Sequence, residues 1–297
     1  MRAVDVFAGC GGMSLGFEQA GVEVVAAFDN WKPAVDIYRS NFDHPMYEKD
    51  LCDEDTIDVI KGLKPDVIMG GPPCQDYSIA GKREVGARAN LTIRFAEIVC
   101  GVKPEWVVFE NVYNIERFGT LPVMKTMLSD AGYGLTARVL DASRCGVPQA
   151  RKRFILIGHL GSKDGFLDEA LEAGLSEKQM TVRDYLGDKL GTQYYYMHPR
   201  SYARRGVFSI DEPSATIRGI NRPIPENYKR PHADAAAIED GVRALTTKER
   251  SYLQSFPETF KFEGAKTSVE LAIGNAVPPA LAKYVATRLV EYESDKE

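Results

Sequence analysis

The stretch AVDVFAGCGGMSLGFEQAG, residues 3–21, decides the fold. It opens as an apolar run that stops at glycine, turns through Gly9, Gly11 and Gly12, and closes as a short helix ended by Gly21. The glycines let the backbone bend tightly and let a ligand approach the amides at a helix N-terminus. Their spacing is not GxGxxG and no Lys-Ser/Thr follows, so neither a dinucleotide fingerprint nor a P-loop is supported. A plain strand-to-helix turn is an equally good reading of the glycines alone.

Outward from this stretch the same alternation continues. VEVVAAFD (22–29) reads as a second strand, and KPAVDIYRSNF (32–42) as a helix begun at Pro33 with Ala34, Ile37 and Tyr38 on one face. DEDTIDVIKGL, LTIRFAEIVCGV and LPVMKTMLSDAGY read as helices; PDVIMGG, EWVVFENV, LTARVLDA and RKRFILIGHL read as strands. Strands separated by helices of this length imply an α/β fold, a doubly wound and mainly parallel sheet covered on both faces. Ligands bind such sheets beyond the carboxyl ends of the strands. Gly9, Asp29, Asp50, Pro72 and Glu110 all fall at or just after strand ends, so one rim collects the candidate chemistry. A carboxylate at Asp29, about 20 residues after the glycine turn, is placed to accept hydrogen bonds from ribose hydroxyls. Asp50 reads equally as a loop or helix-capping carboxylate.

The alternation stops near residue 161. Up to residue 241 the chain becomes irregular, and TQYYYMHPRSYARRG and TIRGINRPIPENYKRPH are rich in Tyr, Arg, His and Pro. From Lys189 to His232 there are eight Lys/Arg against three Asp/Glu, with five tyrosines interleaved. That local excess matters more than the net charge of −5, because phosphate contact depends on the local patch. Basic residues among aromatics suit phosphate contact with base stacking, and a solvated insertion has the same composition. A helix-rich tail, SVELAIGNAVPPALAKYVATRLVEYE, ends the chain.

With 44% hydrophobic and 27% charged residues, the composition is that of an ordinary globular protein. No apolar run has the length of a membrane span, and the N-terminus has no cleavable signal, so no membrane partner is expected. Five scattered cysteines (Cys10, Cys52, Cys74, Cys100, Cys145) form no CxxC pair, so neither a metal site nor a disulfide framework is expected, and a reducing cytoplasm is the simplest compartment. Cys74 stands out. It follows a Pro-Pro turn in GGPPCQDYSIAGKR (70–83), where a side chain at the rim is presented rather than buried.

Six motifs in order, FAGCGG, GGPPCQDYS, FENV, GVPQARKRFILIG, RALTTKERSYLQSFP and GNAVPP, resemble those of the cytosine-carbon-5 DNA methyltransferases along nearly the whole chain. The resemblance implies a Rossmann-like methyltransferase fold: a catalytic domain of 1–160 plus 270–297, an inserted target-recognition domain at 161–241, and a connecting hinge at 242–269. It implies S-adenosylmethionine as methyl donor, with S-adenosylhomocysteine as product, and double-stranded DNA as partner. Cys74 would be the nucleophile, Glu110 the group that protonates ring nitrogen 3, and Arg153 the holder of the ring carbonyl and of Glu110. Arg151 and Arg153, two apart on a strand, would share a face, with Arg151 nearer the phosphate or the loop. Phe7, Ala8, Gly9, Gly11, Gly12, Asp29, Asn30, Asp50, Leu51, Pro72, Asn275 and Ala276 would form the cofactor pocket. Ser78, Lys82, Arg83 and Arg88 would meet DNA from a segment that closes over it.

A target carbon inside a duplex is inaccessible, so the nucleotide must be flipped out. Asp76-Tyr77 departs from the small residue and Phe that the family often carries there. Two other readings stay open at this point. One is a tRNA methyltransferase, whose Cys-Phe-Thr signature is absent from the sequence. The other is a catalytically silent nucleic-acid-binding relative. A monomer is expected, and a cognate restriction endonuclease, a host-defence role and an orphan role are all compatible with the sequence.

Overall fold

The central sheet has seven strands in the order β3-β2-β1-β4-β5-β8-β6. The computed structural model describes residues 1–73, 91–117, 119–201 and 204–295. Cys74, Ser78, Lys82, Arg83 and Arg88 lie outside the described residues. In chain order the first elements are β1 (Arg2–Val6), α1 (Gly12–Gln19), β2 (Glu23–Asp29), α2 (Lys32–Arg39), β3 (Met46–Glu48), α3 (Thr56–Gly62) and β4 (Val67–Gly70). They are followed by α4 (Leu91–Val102), β5 (Trp106–Val112), α5 (Thr120–Asp130), β6 (Tyr133–Asp141), β7 (Gln149–Ala150) and β8 (Lys152–Leu160).

β1 to β5 run parallel, as the intervening helices require. β8 is antiparallel to both β5 and β6. Its connection from β6 contains one turn of 3-10 helix (Ala142–Arg144) and the two-residue β7, too little for a crossover, so the chain returns alongside β6. The short edge strand β3 carries no apolar alternation and was not legible as a strand.

Strand alternation sends the core to both faces. On β5, Trp106 and Val108 pack with Met13, Phe17, Leu281 and Val285 on one side. Val107 and Phe109 pack with Ile60, Phe95, Val99 and Leu128 on the other. The fold is therefore doubly wound, as the sequence implies. The strand order reverses at β1 and β4, and there the backbones are pressed together: a Cβ on Gly70 would lie 2.1 Å from the Val6 carbonyl oxygen.

Beyond β8 come α6 (Asp168–Ala173), α7 (Val182–Leu186), β9 (Tyr194–Tyr196), β10 (Val207–Ser209), β11 (Ser214–Ala215) and β12 (Arg243–Ala244). The chain ends in α8 (Thr247–Leu253), α9 (Lys266–Asn275) and α10 (Pro279–Ser294). β10, β9 and β12 make a small sheet, and β11 pairs with β7. A third core joins Cys10 and Ile37 to Val182, Tyr195, Ile217, Phe256 and Ile273, so this layer is packed onto the rim of the main sheet. The tyrosines read as a stacking surface divide accordingly. Tyr195 and Tyr196 are fully buried, and the Tyr228 hydroxyl donates to Asp234 at 2.6 Å. The role of Tyr195 and Tyr196 is packing, because β9 is the central strand of its sheet, and Tyr202 lies outside the described residues.

α10 returns to α1, where Gly16 lets the helices touch: a Cβ there would lie 2.4 Å from the Pro279 carbonyl oxygen. The helix that follows GNAVPP thus packs on the first helix of the chain. No described helix is long and apolar enough to cross a membrane.

Candidate active site

The carboxyl ends of β1, β2, β4 and β5 form the rim at the switch point. After β1 the chain turns through Phe7 (φ 60), Gly9 (φ 56) and Gly11 (φ 93), with a left-handed backbone at each. The Ala8 amide donates to the Phe28 carbonyl at 3.0 Å. Asp29 locks the turn: one carboxylate oxygen accepts from the Gly9 amide and the other from the Trp31 amide, each at 2.8 Å. Burial raises the Asp29 pKa, and the backbone donors at Trp31, Gly9 and Asn30 oppose the rise. A carboxylate offers about four acceptor positions, so with three backbone donors capacity still remains for a ligand's hydroxyl.

The three glycines of the turn do different work. Gly9 faces open space, so a ligand can approach its backbone. A Cβ on Gly11 would lie 2.4 Å from the Phe42 ring, and one on Gly12 would lie 2.0 Å from the Val277 carbonyl oxygen. Gly11 and Gly12 are therefore required by packing against the α2 region and the GNAVPP turn, whatever they also offer a ligand. Asn30 is exposed beside Asp29. Asp50 is exposed, and its Oδ1 accepts from the Cys52 amide at 2.9 Å, closing a turn above buried Leu51. Asn275 is exposed at the end of α9, while Ala276 is buried.

Glu110 comes from the end of β5 and is nearly buried, its side chain 10% exposed. Arg153, on the neighbouring strand β8, brings its Nε to 2.9 Å from Glu110 Oε1. Burial raises the Glu110 pKa, and the guanidinium groups of Arg153 and Arg151 oppose the rise. The result is a carboxyl that holds a proton more readily than an exposed one. Beside it β4 ends in Gly70-Gly71-Pro72. A Cβ on Gly71 would lie 2.9 Å from Glu110 Oε2, so glycine keeps the carboxyl unobstructed. Asn111 Nδ2 donates to the Pro72 carbonyl at 3.0 Å and pins the proline turn to β5.

Arg151 departs from expectation. It is only 1% exposed and sits between β7 and β8, where strand alternation does not apply. Nη1 donates to the Ile217 carbonyl at 3.0 Å, and Nη2 to those of Gly274 and Ala276 at 3.1 and 3.0 Å. Burial and the nearby Arg153 push its pKa down to about 9, against the pull of Glu110. It cannot meet a phosphate from there. It bolts β8 to the segment after β11 and to the GNAVPP turn. Arg151→Met should therefore lower stability by about 3 kcal/mol, because buried carbonyls lose a charged donor. A urea unfolding curve checks this, and an unchanged midpoint would contradict the bolt.

Gln149 belongs to the same seam and was not singled out from sequence. It is fully buried, donates to Leu253 O at 3.0 Å and accepts from the Ile217 amide at 2.9 Å. A glutamine with both ends used and no solvent is visible only in three dimensions. Arg250 of α8 forms a buried ion pair with Glu270 of α9, and Glu270 also accepts from Asn221 at 2.9 Å.

Four cysteines are described. Cys10 and Cys145 are buried, and burial pushes each thiol up to about 12. Cys52 is exposed beside Asp50 and Cys100 lies half-buried in α4, their pKa values raised by partial burial. None is activated as a thiolate nucleophile would be.

Residues 1–291 match the family model for C-5 cytosine-specific DNA methylase. The chain is 55% identical over 298 residues to the Type II methyltransferase M.HindV of Haemophilus influenzae, covering 99% of this chain and 98% of that one. It is 52% identical over 294 residues to M.HgiDI of Herpetosiphon aurantiacus, covering 98% and 95%. Among solved structures it is similar to the Dnmt2 methyltransferase of S. pombe, with a TM-score of 0.76, 19% identity and 99% of each chain covered. It is also similar to an E. coli prophage-encoded putative DNA modification methyltransferase, with a TM-score of 0.73, 20% identity and 99% of each chain covered. At those identities the solved structures speak to the fold alone. The whole-chain family match and the two relatives above 50% identity show that this chain belongs to the C-5 cytosine-specific DNA methylases and is a DNA cytosine-5 methyltransferase.

Proposed function

We propose that Cys74, Glu110 and Arg153 carry the chemistry on a cytosine flipped out of duplex DNA. The buried Arg153–Glu110 pair beside the Gly71-Pro72 turn is the observation that supports it best. The Cys74 thiolate adds to carbon 6 of the ring, and the displaced electron pair makes carbon 5 nucleophilic. The growing negative charge reaches ring nitrogen 3, where Glu110 holds a proton, and Arg153 holds both Glu110 and the ring carbonyl. After transfer a water or hydroxide removes the carbon-5 proton, and the sulfur leaves by elimination.

Family membership implies S-adenosylmethionine, and the rim fits it. Asp29 retains acceptor capacity for ribose hydroxyls, Gly9 is open on its ligand side, and Asp50 and Asn275 are exposed. Phe7, Ala8, Asn30, Leu51, Pro72 and Ala276 complete the assignment, with Gly11 and Gly12 shaping the turn. The cofactor supplies an electrophilic methyl on a sulfonium. Arg151 holds the seam and does not touch DNA. Ser78, Lys82, Arg83 and Arg88 are proposed as DNA contacts. The working division remains 1–160 plus 270–297 for catalysis, 161–241 for recognition and 242–269 as the connection, in a monomer. A cognate restriction endonuclease is the partner suggested by relatives named Type II methyltransferases.

Duplex DNA carrying 5-fluorocytosine, with S-adenosylmethionine, should trap a covalent adduct on Cys74, read by peptide mass spectrometry. An adduct on Cys10 or Cys145 would overturn the assignment. Labelled methyl transferred to tRNA but not to DNA would overturn the substrate.

A further inference from the structure

The end of the sheet opposite the rim holds a second cluster of titratable groups. Glu105 directly precedes β5, His159 lies near the end of β8, and Glu293 lies in the last turn of α10. Because β8 is antiparallel to β5, His159 pairs with Trp106 and comes beside Glu105. His159 Nε2 is 3.6 Å from Glu105 Oε1 and 3.5 Å from Glu293 Oε1, and the three ligand atoms all lie within 4.8 Å of one another.

We propose that Glu105, His159 and Glu293 form a site for a zinc-type divalent cation, separate from the methyl-transfer machinery. Three features point there. Ligands held at about 2.0–2.2 Å around a tetrahedral ion stand roughly 3.3–3.6 Å apart, which matches the two measured separations from the imidazole. Two of the three ligands have orienting partners. Ser162 Oγ lies 2.8 Å from His159 Nδ1, which leaves Nε2 directed at the carboxylates. Trp106 Nε1 donates to Glu293 Oε1 at 3.2 Å. Outer-shell bonds of this kind fix ring and carboxylate orientation in metal sites. Finally, the imidazole is only 7% exposed, walled by Trp106, Phe166 and Tyr292, while Glu105 at 55% leaves one side open to solvent water.

One imidazole with two carboxylates suits zinc over magnesium or calcium, which favour oxygen ligands alone. Occupancy ties the last turn of α10 to the start of β5. The same helix begins at the GNAVPP turn and packs on α1, so the ion would brace the C-terminal helix from its far end. The proposal is independent of the methyl-transfer assignments, since none of these residues lies on the rim.

The test is calorimetric titration of the chelator-stripped full chain with zinc chloride, compared with the Glu105→Gln/Glu293→Gln variant. Methyl transfer by the variant, expected to be unchanged, verifies that it folds. The native chain should take up one equivalent that the variant binds at least about tenfold more weakly. At zinc about 100-fold above Kd, the native Tm should rise by about 5 °C and the variant's should not. Magnesium chloride should give neither effect. Equal zinc binding by both proteins, as from the cysteines, would overturn the site. So would no uptake by either, which leaves the three side chains as a polar contact between β5, β8 and α10.

Discussion

Cys74→Ala is expected to lower methyl transfer to duplex DNA by at least about 10⁴-fold while leaving DNA affinity within about threefold. Removal of an enzyme nucleophile typically costs this much or more, because no other group opens the covalent path. DNA affinity rests mainly on phosphate contacts, which the substitution leaves in place. Single-turnover transfer of labelled methyl, with a gel-shift titration at fixed salt, checks both halves. Residual transfer above one part in about 10³ would mean that another group attacks the ring. The described cysteines offer no replacement: burial holds Cys10 and Cys145 near 12, where almost no thiolate exists at neutral pH.

Glu110→Gln should lower the rate by about 10² to 10⁴-fold, with cofactor affinity little changed. The amide keeps the shape and can still face Arg153, but it has no proton to give ring nitrogen 3. The pH dependence distinguishes this role from a structural one. Burial raises the folded pKa of Glu110, so the proton-bearing form persists to higher pH than in an exposed carboxyl and is lost as pH rises through that value. The native rate should therefore fall on the alkaline side where Glu110 loses its proton, and the glutamine variant should lack that limb. The sign for stability is the same. A raised carboxyl pKa contributes stability that is full below the unfolded value and lost as pH rises through the folded one. An alkaline limb persisting unchanged in Glu110→Gln would assign it to another group.

Much of this was legible in the residues themselves. The alternation from AVDVFAG onward carries the doubly wound sheet, because burial on both faces demands apolar strands separated by amphipathic helices. Asp29 and Glu110 were legible as rim carboxylates because each directly follows an apolar run at or near a strand end. The irregular composition after residue 161 marked a separate layer, but it did not show that Tyr195 and Tyr196 are buried. Composition does not say that Tyr195 and Tyr196 lie on the central strand of a small sheet.

The two arginines of QARKR show where local reasoning stops. Two residues apart on one strand would share a face, but β8 begins at Lys152, so Arg151 escapes the alternation and turns into the seam. Its partners at 217, 274 and 276 are remote in sequence, and Arg153 meets Glu110 only through antiparallel pairing of β8 with β5. The same holds for Gly11 and Gly12, identical in kind to Gly9 but set against Phe42 and Val277. It holds again for Glu105, His159 and Glu293, whose spacing resembles no metal motif. By itself, then, the sequence determined the sheet, its rim and the order of the motifs, since periodicity and turn chemistry act between near neighbours. Only the tertiary structure decided which arginine reaches the carboxyl, which glycine stays open and what gathers behind the sheet, because burial and partnership depend on residues far apart in the chain.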